Sequence, residues 1–182
     1  MRVRRISSNG NRRAFTLVEI LVVVVIIGIA AAVVVPQLGT QSDLRAAAAA
    51  RLIMADLIYA QNRAIATQTK HYVVFDTTNQ KYRIRMGSTL VDIPQPIPKE
   101  SFYEVVLGQK GTALSEISLG TVNIEGFTTI AFDELGVPYS YNASTSATTA
   151  LSTSGGSTIP VKCGTFTLTI SVEPYTGEIK VN

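Results

Sequence analysis

Tryptophan is absent from this 182-residue chain, cysteine and histidine occur once each, and no acidic side chain precedes Glu19. A single cysteine, Cys163, forms no internal disulfide, and a buried thiol is its simplest role. One Cys and one His give no zinc-ligand spacing, so no metal or cofactor is expected. No glycine-rich phosphate loop is present, nor a Gly-x-Ser-x-Gly segment for a serine nucleophile. His71 opens a strand-like run beside Tyr72 and reads as a surface or edge residue, not a catalytic base. Asp133 and Glu134 read as turn residues. An enzyme is therefore not expected, and a membrane-tethered one is the weakest reading.

The sequence does have charge of one sign at its start and a long apolar run just after it. Arg2, Arg4, Arg5, Arg12 and Arg13 all lie before Phe15. The formal net charge is +3 and the pI about 9.1. Without those five arginines, 11 basic side chains face 13 acidic ones, and the remainder carries −2. The basicity belongs to a leader and not to a nucleic-acid surface, and such arginines stay on the cytoplasmic side of a membrane.

Sixteen consecutive residues, 20–35, carry neither charge nor polar side chain, and mean hydropathy over the chain is +0.25. With Phe15 to Glu19 in front, the run suits a spanning helix of roughly 20 residues better than a secretory h-region. Ala30, Ala31 and Ala32 imitate a conventional cleavage site, which keeps that alternative open. Pro36 removes a backbone N–H and predicts a helix kink, loosened further by Gly39. Beyond it, Leu44, Ala48, Leu52, Ala55, Tyr59, Asn62 and Ala66 recur at helical spacing and predict an amphipathic helix over about 40–66 that buries this face. Together the two halves predict a rod of about 75 Å.

The remainder predicts an antiparallel sheet. Residues 71–75 and 81–85 read as strands joined by a hairpin loop at 76–80. Pro94, Pro96 and Pro98 exclude a central strand. Residues 104–107 and 122–124 are weaker strands, and 128–132 a good one, followed by a turn at 133–136. Residues 140–157 are dense in Ser, Thr, Ala and Gly and predict a long mobile surface loop, about 140–160. With Tyr139 and Tyr141 it is the expected variable contact surface. Residues 166–172 and 177–181 form a terminal hairpin.

The segment Ala14-Phe15-Thr16-Leu17-Val18-Glu19, with the apolar run to Ala30 and Pro36 after it, resembles the N-terminus of type IV prepilins and type II secretion pseudopilins. Residues 55–67, 132–138 and 170–181 resemble the GspH/FimT group of that superfamily. The resemblance implies an α+β pilin-like fold: a long N-terminal helix, transmembrane in its first half, packed on an antiparallel sheet. It divides the chain into a leader (1–14), a transmembrane and polymerisation helix (15–38) and a periplasmic head (39–182). It implies cleavage between Ala14 and Phe15 by an inner-membrane prepilin peptidase and methylation of the new Phe15 amine. The family usually has Gly before the cut. Ala14 is the next smallest side chain, and Gly10 is too far upstream to replace it.

Glu19 has two readings. Thr16 and Glu19 have capping-box spacing, so Glu19 can serve the helix start. An ionisable group in a spanning segment is otherwise a functional candidate, and the resemblance implies pairing with the N-terminal amine of a neighbouring subunit. The implied partners are other pilins or pseudopilins, the peptidase and an inner-membrane assembly platform driven by a cytoplasmic ATPase. The implied location is the bacterial inner membrane, single-pass, with the head in the periplasm. Two functions share this anatomy: a minor pseudopilin of a type II secretion system, and a FimT-like minor type IV pilin for pilus assembly or DNA uptake. Lys81, Arg83 and Arg85 share one strand face and are the candidate nucleic-acid contacts. In the last twenty residues, however, Lys180 stands against Glu173 and Glu178, which disfavours DNA.

Overall fold

The computed structural model describes residues 15–34, 41–96, 102–152 and 156–182. Ala14 and Pro36 lie outside these segments, and so do the predicted cleavage junction and kink. The chain forms two compact units, residues 1–40 and 41–182.

Among the described residues, the first unit contains one helix, α1 (Leu17–Val34). Its start is capped: Thr16 Oγ1 accepts from the Glu19 N–H at 3.2 Å, and the Thr16 carbonyl accepts from the Ile20 N–H at 3.2 Å. This hydroxyl satisfies one of the donors that every helix start leaves open.

The second unit is a helix laid across two antiparallel sheets. Helix α2 spans Ser42–Thr67 and ends at Gln68, whose left-handed conformation (φ 49°) closes the helix with an N–H bond to the Ala64 carbonyl. The strands are β1 (His71–Asp76), β2 (Lys81–Met86), β3 (Val91–Asp92), β4 (Glu104–Val106), β5 (Ile117–Leu119), β6 (Asn123–Ile124), β7 (Thr129–Phe132), β8 (Pro138–Asn142), β9 (Ala147–Ala150), β10 (Ser157–Cys163), β11 (Phe166–Val172) and β12 (Ile179–Val181). The larger sheet runs β3-β2-β1-β7-β8-β9, with β4 also on β2; the smaller runs β12-β11-β10-β5, with β6 also on β10. Among the described residues, two sheets stand where one was expected, and α2 touches strands of both.

The predicted helix exists, but its predicted buried face is the exposed one. Leu44, Ala48, Leu52, Ala55, Asn62 and Ala66 are exposed, and Tyr59 is half-buried. The core side carries Ala46, Ala49, Ala50, Ile53, Asp56, Leu57, Ala60 and Ala64. Both stripes have helical periodicity, and the true one contains a carboxylate, which argued against it on pattern alone. Asp56 is tolerated inside because Tyr82 and Tyr103 donate hydroxyl bonds to its two oxygens, at 2.5 and 2.6 Å. Burial still pushes its pKa up, against the pull of the two hydroxyls. The alanines let the backbone approach strands that supply the bulk: Val73, Phe75, Ile130, Phe132, Ile159, Val161 and Ile170 are all buried in one cluster.

The predicted loop at 140–160 is corrected to a β8–β9 hairpin followed by β10 within the smaller sheet. Two of its serines are satisfied by backbone. Ser157 is fully buried; its hydroxyl donates to the Val172 carbonyl at 3.1 Å and accepts from the Val172 N–H at 2.8 Å. Ser140 likewise donates to Thr149 O at 3.3 Å. Tyr141, expected at a contact surface, is buried edge-on against Tyr72. His71, expected at the surface, is fully buried on a strand flanked by β2 and β7. Its Nδ1 faces the Thr69 carbonyl at 2.8 Å, so that nitrogen carries the proton. Burial, and secondarily Arg63, holds its pKa low.

Two glutamines join the sheets and the helix. The Gln80 side chain exchanges bonds with both backbone groups of Leu119 in β5 (2.6 and 3.3 Å). Gln61 of α2 donates to the Gly136 carbonyl at 2.9 Å. Here Gly177 (φ 66°) is required twice over: a Cβ would stand 2.4 Å from Gln61 Nε2 and 3.0 Å from Gly136 O.

Replacing Asp56 by Ala leaves the fully buried Tyr82 hydroxyl unpaired. The expected loss is about 1–3 kcal/mol, read as a lower urea midpoint. A midpoint equal to that of the parent chain contradicts this account of the buried carboxylate.

Candidate assembly interface

Phe15 precedes α1 and is 74% exposed. All the described side chains of residues 15–32 are exposed, Glu19 among them. Twelve large apolar residues in this stretch, from Phe15 to Ile29, stand uncovered. At about 1.5–3 kcal/mol for burying each such side chain, covering them is worth on the order of 20 kcal/mol. That exceeds the roughly 5–15 kcal/mol by which a domain is stable. A helix of this composition requires a lipid or protein environment.

Glu19 is the one ionisable group of α1. Of the capping box the sequence allows, the structure contains the threonine half, Thr16 Oγ1 receiving the Glu19 N–H. The Glu19 carboxylate has no hydrogen bond or ion pair with any described residue. The cap therefore does not occupy the carboxylate, which remains open to a cation from elsewhere.

Among the described residues, no helix is long and apolar enough to cross a membrane. Helix α1 has 18 residues, or about 27 Å at 1.5 Å per residue, against a hydrocarbon core of about 30 Å. Glu19 stands third in it, which shortens the uncharged part further.

The basic face predicted on β2 exists, and each of its cations is paired with an acid. Lys81, Arg83 and Arg85 project on the same side of the larger sheet, beside Val74 and Asp76. Lys81 Nζ lies 3.2 Å from Glu104, Arg83 is bonded to Glu104 and lies 3.8 Å from Asp92, and Arg85 is bonded to Asp92 at 2.6 Å. The Arg83 hydrogen bond, followed by that of Lys81, holds the Glu104 pKa below the usual carboxylate range. These acids come from β3 and β4, strands too short to be legible as partners of β2. Partly exposed pairs of this kind contribute little stability, but two acids offset two of the three charges that phosphates would need.

A family model for the prokaryotic N-terminal methylation motif matches residues 9–35. The match contains the Ala14–Phe15 junction, Glu19 and all of α1. No curated protein and no solved structure matches the chain. The chain thus carries a type IV pilin-like signal, which points to a structural subunit that is processed by a prepilin peptidase and assembles with other pilins.

The paired face predicts that a gel-shift titration of residues 41–182 with duplex DNA gives no retardation at physiological salt. A strong shift that weakens steeply as salt rises contradicts it.

Proposed function

We propose that this chain is a minor pseudopilin, a structural subunit of a type II secretion pseudopilus that assists protein export across the outer membrane. The observation that carries the reading is the uncovered apolar helix α1, headed by a carboxylate with no partner among the described residues. Before assembly α1 sits in the inner membrane, where the apolar run 15–35 supplies the length and the arginine leader stays in the cytoplasm. A helix suits lipid because its backbone bonds are internal. Cleavage between Ala14 and Phe15 removes the leader, and methylation keeps the new amine cationic. The platform then draws subunits into a filament in which α1 helices cover one another.

Glu19 sets axial register in that bundle. An unpaired carboxylate among apolar helices is costly, whereas one that meets a cation from a neighbour is tolerated. The pair therefore discriminates between registers more than it adds stability. The head, placed in the periplasm, supplies contacts to partner proteins and performs no reaction. The alternative, a FimT-like minor type IV pilin of the GspH/FimT group acting in pilus assembly or DNA uptake, uses the same anchor. Its DNA-binding form is disfavoured by the ion pairs of Lys81, Arg83 and Arg85.

Mass spectrometry of the membrane-extracted protein is expected to find Phe15 first and N-methylated. An N-terminus at Met1 or near Ala32 contradicts the processing. The Glu19→Leu variant is expected to insert and to be processed, yet to be recovered poorly in sheared filaments or secretion complexes. Normal recovery contradicts the register role.

A further inference from the structure

An apolar groove about 780 Å³ in volume runs along the first three turns of α2. Its walls are Leu44, Ala48 and Leu52 on the helix and Ala113 and Leu114 on the facing turn. Leu44 is 69% exposed, so no described residue of the head covers it. Arg45 also lines the groove and is bonded to Glu116. That ion pair is itself open to solvent, with side chains 42% and 62% exposed. Arg45 bonds Glu116 through Nη1, and a guanidinium has five N–H donors, so it can take a second carboxylate.

We infer that this groove receives α1 of a second copy of the chain, with that copy's Glu19 set beside Arg45. This rests on the reading of α1 as the assembly helix and names the head surface it docks on. Two features on the page complement each other. One is an apolar groove with a single arginine on its wall; the other is an apolar helix with a single carboxylate. Setting Glu19 by Arg45 with the helices parallel brings residues 22–23 to Ala48 and residue 26 to Leu52, so α1 fills the groove over about two turns.

A chain cannot reach its own Arg45 in this way. In the parallel setting Val34 falls level with residue 60, about 28 Å along the axis from Gln41. The seven steps from 34 to 41 extend to at most about 25 Å. In the antiparallel setting, placing Glu19 beside Arg45 carries the rest of α1 past the start of α2 and out of the groove. A second copy set parallel has neither restriction. A carboxylate has two oxygens, so a processed Phe15 amine of one neighbour and Arg45 of another are compatible partners of one Glu19.

The test uses two differently tagged full-length copies expressed together in cells with an active assembly platform. One carries Ala48→Cys and the other Val22→Cys; Cys163 is buried and is present in single-cysteine controls. Oxidation is expected to give a dimer band bearing both tags. Adding Arg45→Glu to the groove copy alone should cut the band about tenfold, since two carboxylates then meet. Arg45→Lys should leave most of it. Adding Glu19→Arg to the helix copy should restore the band opposite Arg45→Glu, and because that variant can fail to insert, the Glu/Lys contrast at position 45 stands without it.

A third pair, Ile27→Cys on both copies, reports helix bundling by itself. If the 27–27 band forms and the 22–48 band does not, the groove assignment is overturned and the assembly reading stands. If neither forms, both fall. A 22–48 band indifferent to the charge at position 45 overturns the Arg45–Glu19 pairing.

Discussion

An apolar helix that no described residue covers is the constraint on which the anchoring and assembly of this molecule depend. Helix α1 has its described side chains exposed along its length, and water is the one environment it cannot keep. Lipid and a bundle of like helices are the two that suit it. They differ in how they treat Glu19: near a membrane face the carboxylate reaches headgroup water, whereas inside a bundle it needs a cation. On the proposed function, transfer from one environment to the other converts a tolerated group into a selective one.

The head is built on a different principle. Helix α2 turns a stripe of alanines inward, and two sheets close over it. Most of the bulk in the interface comes from the strands; Gln80 at Leu119 ties the two sheets, and Gln61 at Gly136 ties the helix to the larger one. A buried Asp56 between two tyrosine hydroxyls fixes where β2 and the segment before β4 sit on the helix. With its inner face occupied, α2 keeps a second apolar stripe outside, and this stripe lines the groove that suits a neighbouring helix.

What could be read from sequence was whatever local pattern determines. The apolar run of α1, the β1–β2 hairpin closed by Asp76 on Asn79 at 2.7–2.9 Å, and the alternating β11 with its turn to β12 all follow neighbouring residues. The face of α2 was not legible, because two stripes share one periodicity and the choice depended on Tyr82 and Tyr103, distant in sequence, satisfying Asp56. Residues 140–160 misled through composition. Serine and threonine suggest solvent, yet Ser157 and Ser140 spend their hydroxyls on backbone groups inside a sheet. The basic face of β2 was read correctly as a face, but the pairing of its cations depended on Asp92 and Glu104, carried by strands of two and three residues.

The central claim is that α1 holds the unassembled chain in lipid. Alkaline carbonate extraction of cell membranes tests it most directly, with the chain followed by a C-terminal tag. The account predicts that the full-length chain remains in the membrane pellet, lacking its first 14 residues by the prepilin cut. Release into the soluble fraction with the arginine leader still attached would contradict it.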